Sequence, residues 1–205
     1  MKNMSFMDER NSQMISHILA VAARLASEGG STLSLAKVAN AANVSLETVQ
    51  THFPKISKLV DTLYLELCRK RNAAILNFYE PAQSLAGRAR SIWHGYVAWA
   101  QSDPVANLAL NRLNLANSPS DRARIVEALN FPDLEVAERF AANGVFPACD
   151  PMYADAMFIA IVDTTVKLIR LHAEQESYHL RTGFLLVQQV LLAAPCRSAE
   201  TTPAP

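Results

Sequence analysis

The chain has 205 residues, half of them apolar, with 19 basic and 19 acidic side chains and no net charge. That allows one or two domains and a real core, and it excludes a membrane span, because no run approaches about 20 apolar residues. Cys68, Cys149 and Cys196 are too far apart, and odd in number, for a disulfide framework or a cysteine metal site.

Charge is unevenly spread. Residues 1–75 carry nine Lys/Arg against six acids, and the remainder ten against thirteen. This suits an N-terminal part that meets DNA and a C-terminal part that does not. The apolar stretch Ile15 to Ala26 is interrupted by Ser16, His17 and Arg24 and has no cleavage site after it. It is therefore not read as a signal peptide, and the expected compartment is the cytoplasm.

Residues 1–8 read as a frayed, Met-rich start. Ile15, Ile18, Leu19, Ala22, Leu25 and Ala26 then recur at helical spacing until Gly29-Gly30 stops the helix. Ser34 caps a short second helix, Asn43 breaks it, and Ser45 caps a third with Glu47 in its first turn. Pro54 closes the third helix. Further helices are expected over about 55–79, 85–102 and 104–115. The Asn117-Ser118-Pro119-Ser120 cluster marks a loop. The helical stretch 121–142 is split or kinked by Pro132, and 144–151 is a connection. Helices over about 152–174 and 177–193 follow, then a tail. No alternating strand pattern appears, so the expected class is all-α with about nine helices.

One constellation carries function. A helix-turn-helix needs a small residue where its two helices touch, a turn residue tolerant of positive φ, and apolar residues that lock the second helix onto those behind it. Ala39 is the small residue and Asn43 the turn residue. Val38, Ala42, Val44, Val49 and Phe53 form the lock. Side chains facing away from the lock are Leu46, Glu47, Gln50 and Thr51, the candidates for reading bases in the major groove. Thr48, His52, Lys55 and Lys58 are candidates for holding phosphates, with Ser34 and Lys37 assisting from the second helix, and Ser45 at the head of the third helix completes the candidate DNA-binding set.

The block from Ile15 to Leu63 resembles the N-terminal DNA-binding domain of TetR-family transcriptional regulators. The resemblance rests on Gly29-Gly30, Ser31-Thr32-Leu33-Ser34, Val38-Ala39, the turn Ala42-Asn43-Val44-Ser45 and the run Thr48-Val49-Gln50-Thr51-His52-Phe53. Two positions depart from the family pattern: Gln50 stands where Tyr is frequent, and Ile56 where a Lys commonly opens the fourth helix. The resemblance implies a three-helix head over residues 9–54 and a long helix leading into a helical effector-binding and dimerisation domain over 55–194. A disordered tail over 195–205 is expected from the sequence itself. The resemblance further implies a homodimer, a palindromic double-stranded DNA operator and release of a repressor by a small organic effector. The dimer would form through the last two long helices.

The resemblance also implies an effector pocket, for which the candidates are Trp93, Tyr96, Trp99, Asn111, Arg112, Met157 and Ile161; aromatics with a few polar groups suit a small ligand. Scattered histidines and the spacing of His172 and Glu174 argue against a metal, and no catalytic motif or cofactor loop is present. Cys68, near Arg69 and Lys70, reads first as a buried structural thiol and second as an oxidant sensor. The chain is thus expected not to be an enzyme. The alternative to a regulator is a helical ligand-binding or adaptor protein with a degenerate DNA-binding head.

Overall fold

The computed structural model describes residues 2–29, 32–81, 83–136 and 151–189, with side chains of 2–8 and 151–155 left aside. The described residues are all-helical. The helices are α1 (Lys2–Glu28), α2 (Leu35–Ala42), α3 (Leu46–His52), α4 (Ile56–Leu76), α5 (Leu85–Ser102), α6 (Pro104–Leu115), α7 (Asp121–Leu129), α8 (Pro151–Leu171) and α9 (Glu176–Val187). A single 3-10 turn, Ala173–Gln175, precedes α9. The tail 195–205 and the connection 144–150 lie outside the described residues. So does the stretch beyond residue 136 of the helix expected after Pro132.

Helix ends follow local chemistry. Asp103 caps α6, accepting the Ala106 N–H at 3.0 Å, and Pro104 supplies its first turn. Ser120 caps α7 by accepting from Ala123 N–H. α7 stops at Leu129, three residues ahead of Pro132, and a helical turn resumes at 134–136. α1 starts at Lys2, earlier than the frayed start expected for residues 1–8; no Gly or Pro interrupts that stretch.

Packing divides the chain into two compact units. The first unit holds α1, α2, α3, most of α4 (to Ala73), α6 and α7. α1 packs on both α2 and α6, and α2 on α3. Ile18, Ala22, Val38, Val49, Leu59, Leu63, Ala109 and Leu110 are buried in it, and each large aliphatic contributes about 1.5–3 kcal/mol. At the end of α1, Gly29 turns into positive φ (67°), and Arg112 of α6 donates to the Ser27 carbonyl left open there. One face of α4 is tied to both ends of α7. Asp61 accepts from the Ser120 N–H (2.8 Å) and hydroxyl (2.7 Å). Three turns on, Arg71 pairs with Glu127 and Asn72 donates to the Asn130 carbonyl at 3.1 Å.

The second unit holds the end of α4 from Ala74, α5, residues 131–136, α8 and α9. Its core is Ile75, Ile92, Trp93, Val97, Val136, Val162, Phe184 and Val187. α5 approaches the end of α4 so closely at Gly95 that a Cβ there would sit 3.1 Å from the Ala74 carbonyl oxygen and nearer still to Ile75 Cα. Asp133 joins residues 131–136 to α5. It accepts from Arg88 (2.6 Å), the Tyr79 hydroxyl (2.6 Å) and the Val136 N–H (3.1 Å). Burial alone would raise its pKa. The Tyr79, Val136 and Arg88 donors outweigh that and hold the carboxyl below its ordinary value.

Candidate nucleic-acid interface

The α2–turn–α3 segment is built from caps and a turn. The Ser34 hydroxyl accepts the Lys37 N–H at 3.3 Å and opens α2. Asn43 closes it in the left-handed region (φ 55°, ψ 42°), a conformation that Asn tolerates because its short amide bonds locally. Its N–H reaches the Asn40 carbonyl at 3.2 Å, and the Val44 N–H reaches Ala39 at 3.1 Å. Ser45 then caps α3, accepting the Thr48 N–H at 3.0 Å, and the two hydroxyls lie 2.8 Å apart. Val38, Ala39, Ala42, Val49 and Phe53 are all buried. The lock expected from spacing is therefore present, with Val44 partly covered.

α3 is thus seven residues long with one buried side, Val49, and an exposed side bearing Leu46, Glu47, Gln50 and Thr51. The Thr51 hydroxyl donates to the Glu47 carbonyl at 2.9 Å. Thr48 and His52 are half-buried beside this face, whereas Lys55 and Lys58 are exposed just past it. Lys37 is exposed, with its ammonium donating to the Thr32 carbonyl at 3.0 Å. All eleven residues expected to meet DNA therefore lie between Ser34 and Lys58 within one packing unit.

One residue of this region escaped sequence reasoning. His17 of α1 reaches the Ala42 carbonyl at 3.0 Å, closing the open end of α2 beside the turn. A histidine inside an apolar period was visible; its partner 25 residues away was not.

The candidate effector residues are spread over three places. Trp93, Tyr96 and Trp99 are buried along α5. Tyr96 meets Phe158 of α8 edge-on at 5.2 Å and Trp99 at 5.7 Å, while Trp93 meets Phe158 at 6.0 Å and donates its indole N–H to the Leu180 carbonyl. Met157 and Ile161 line an apolar cavity of about 270 Å³ between α8 and α9, with Thr165, Leu168 and His179. Asn111 and Arg112 belong to the other packing unit, where Asn111 is buried and Arg112 caps α1.

Cys68 is buried, and burial pushes its thiol up to about 11, against the opposing pull of Arg71. Arg69 points instead to Glu66, bonding it at 2.8 and 2.7 Å, so the thiol is held protonated. Among the described residues, no three His, Cys, Asp or Glu side chains converge as a metal site, and no helix is long and apolar enough to cross a membrane.

No protein-family profile matches the chain. Solved structures match its fold over most of its length. A protein of Shewanella sp. PV-4 assigned to the TetR family of transcription regulators superposes with a TM-score of 0.65 at 19% identity, over 84% of this chain and 95% of that one. A TetR-family transcription regulator from Marinobacter aquaeolei VT8 gives 0.64 at 13% identity, over 87% and 95%. A TetR-family transcriptional regulator from Haemophilus influenzae Rd gives 0.54 at 14%, over 86% and 97%. The fold is that of TetR-family regulators, over both packing units and not the N-terminal third alone.

Proposed function

We propose that this chain is a DNA-binding transcriptional regulator of the TetR type and not an enzyme. The observation that carries the reading is α3, held by Val49 and Phe53 on one side and presenting Leu46, Glu47, Gln50 and Thr51 on the other. That is the arrangement by which a recognition helix enters the major groove. Lys55 and Lys58 hold phosphates beside it, with Ser45, Thr48 and His52, assisted by Ser34 and Lys37.

The working form is a homodimer in the cytoplasm. One recognition helix covers few base pairs, and two placed about 34–36 Å apart read a palindrome. Leu168, Leu171, Tyr178, Leu185 and Leu186 leave apolar surface exposed on α8 and α9, which supports those helices as the dimer face. The protein acts as a repressor. A small organic effector, held in the second unit near the α5 aromatics, Met157 and Ile161, shifts the population towards a form that releases the operator. Arg112 donates to the Ser27 carbonyl, which favours a packing role for it over ligand contact.

Selection of bound fragments from random duplex DNA tests the reading. The expected result is one enriched palindrome bound by a dimer. Binding to selected DNA no tighter than to random duplex at low salt would overturn it in favour of a helical ligand-binding or adaptor protein.

A further inference from the structure

Resting on that DNA-binding reading, the geometry points to a recognition helix built for A·T pairs: we propose that each operator half-site carries a thymine whose methyl packs on Leu46 and an adenine held by the Gln50 amide, one to two base pairs apart.

Three observations on α3 converge. The first is what the helix lacks. Its seven residues include neither Arg nor Lys, the side chains that most often read guanine through O6 and N7. The second is which side chains have chemistry to spare. The Ser45 and Thr48 hydroxyls engage each other, and the Thr51 hydroxyl donates to the Glu47 carbonyl. Gln50 is exposed, and its amide bonds no other described group. A free carboxamide offers one donor and one acceptor side by side, the complement of adenine N7 and N6. The third is Leu46. It is 42% exposed on a short helix whose lock is already complete with Val49 and Phe53, so a large part of its apolar surface faces outward. In the major groove the apolar feature of a base edge is the thymine methyl.

Leu46 and Gln50 stand four residues apart and share a face. The rise between them is about 6 Å, one to two base-pair steps of about 3.4 Å. Glu47 stands beside Leu46 on the exposed face and is acceptor-only when ionised. It accepts from an amino donor, adenine N6 or cytosine N4, and so sets which strand's base it faces without itself choosing between A·T and G·C.

The test uses the full chain and the duplex selected from random sequence. Each thymine is replaced singly by uracil, which lacks the methyl, and each adenine by 7-deazaadenine, which lacks N7. Uracil at one position per half-site is expected to weaken wild-type binding about fourfold, the worth of one buried methyl group, and to have no effect in Leu46→Ala. At a second position, 7-deazaadenine is expected to weaken wild type about fivefold or more, and to add nothing in Gln50→Ala. Both variants change exposed positions, and matching thermal unfolding of each with wild type establishes that they fold. A selected palindrome in which no uracil or 7-deazaadenine replacement weakens binding would overturn this proposal while leaving the regulator reading intact. Failure to enrich any sequence would overturn both.

Discussion

Replacing Gly95 by Ala pits two effects of opposite sign against each other. Ala is favoured over Gly inside a helix by about 0.8–1.0 kcal/mol, and Gly95 lies in the middle of α5. Propensity alone therefore makes the variant more stable. Against this, the added methyl would lie 3.1 Å from the Ala74 carbonyl oxygen and the Ile75 nitrogen, and closer to Ile75 Cα. Carbon atoms rest about 3.5–4.0 Å apart, and none of these backbone atoms can rotate away. The end of α4 and α5 must separate on the order of an ångström, in a region where Ile75, Ile92 and Trp93 are at most 1% exposed. Overpacking of this kind costs about 1–3 kcal/mol, and a clash with backbone belongs at the upper end. The expected net loss is about 1–2 kcal/mol. Urea unfolding followed by far-UV circular dichroism should show a lower midpoint with an unchanged slope. A Gly95→Ala variant as stable as wild type, or more so, would refute the close approach of the two helices.

Glu127→Gln removes the carboxylate that pairs with the buried Arg71 guanidinium, and should cost about 1–3 kcal/mol in chemical denaturation; an unchanged midpoint would show that the pair adds nothing to stability. Asp133 is held below its ordinary pKa, so its contribution is full above the unfolded value of about 3.9 and is lost as pH falls through the folded one. Asp133→Asn should flatten that acid limb in urea midpoints measured from about pH 6 downward; an unchanged limb would remove Asp133 from the acid response. Lys58→Ala should weaken all DNA sequences alike and reduce the salt slope of binding by about 0.9 for each phosphate it no longer neutralises, read by filter binding; an identical slope would show that Lys58 holds no phosphate.

The helix-turn-helix was legible because its determinants are local. Ser45 caps the helix it precedes, Asn43 takes the left-handed turn, and Val49 and Phe53 return to the buried side at helical spacing. α5 and α6 were legible to the residue, since Asp103-Pro104 marks the break between them in one-dimensional terms. Arg112 shows the opposite case. Its proximity in sequence to the α5 aromatics suggested a shared pocket. Its partner is Ser27, 85 residues earlier, because α6 packs on α1. The ties of Asp61 to Ser120 and of His17 to Ala42 were hidden for the same reason: each joins helices whose adjacency no period or cap announces. The resemblance of the first third predicted the fold of the remainder; the helix pattern alone did not specify which helices pack together.

The burial of Trp93 and Trp99 along α5 has an optical consequence. These are the only two tryptophans of the chain, and both sit in the second packing unit. The first unit is therefore dark in indole emission, and the emission belongs to α5. An unfolding curve followed at the indole band records the second unit, whereas ellipticity records both, so any offset between the two curves measures how independently the units melt. By the same logic, an emission change on adding operator DNA would be a message received at α5 from an encounter at α3.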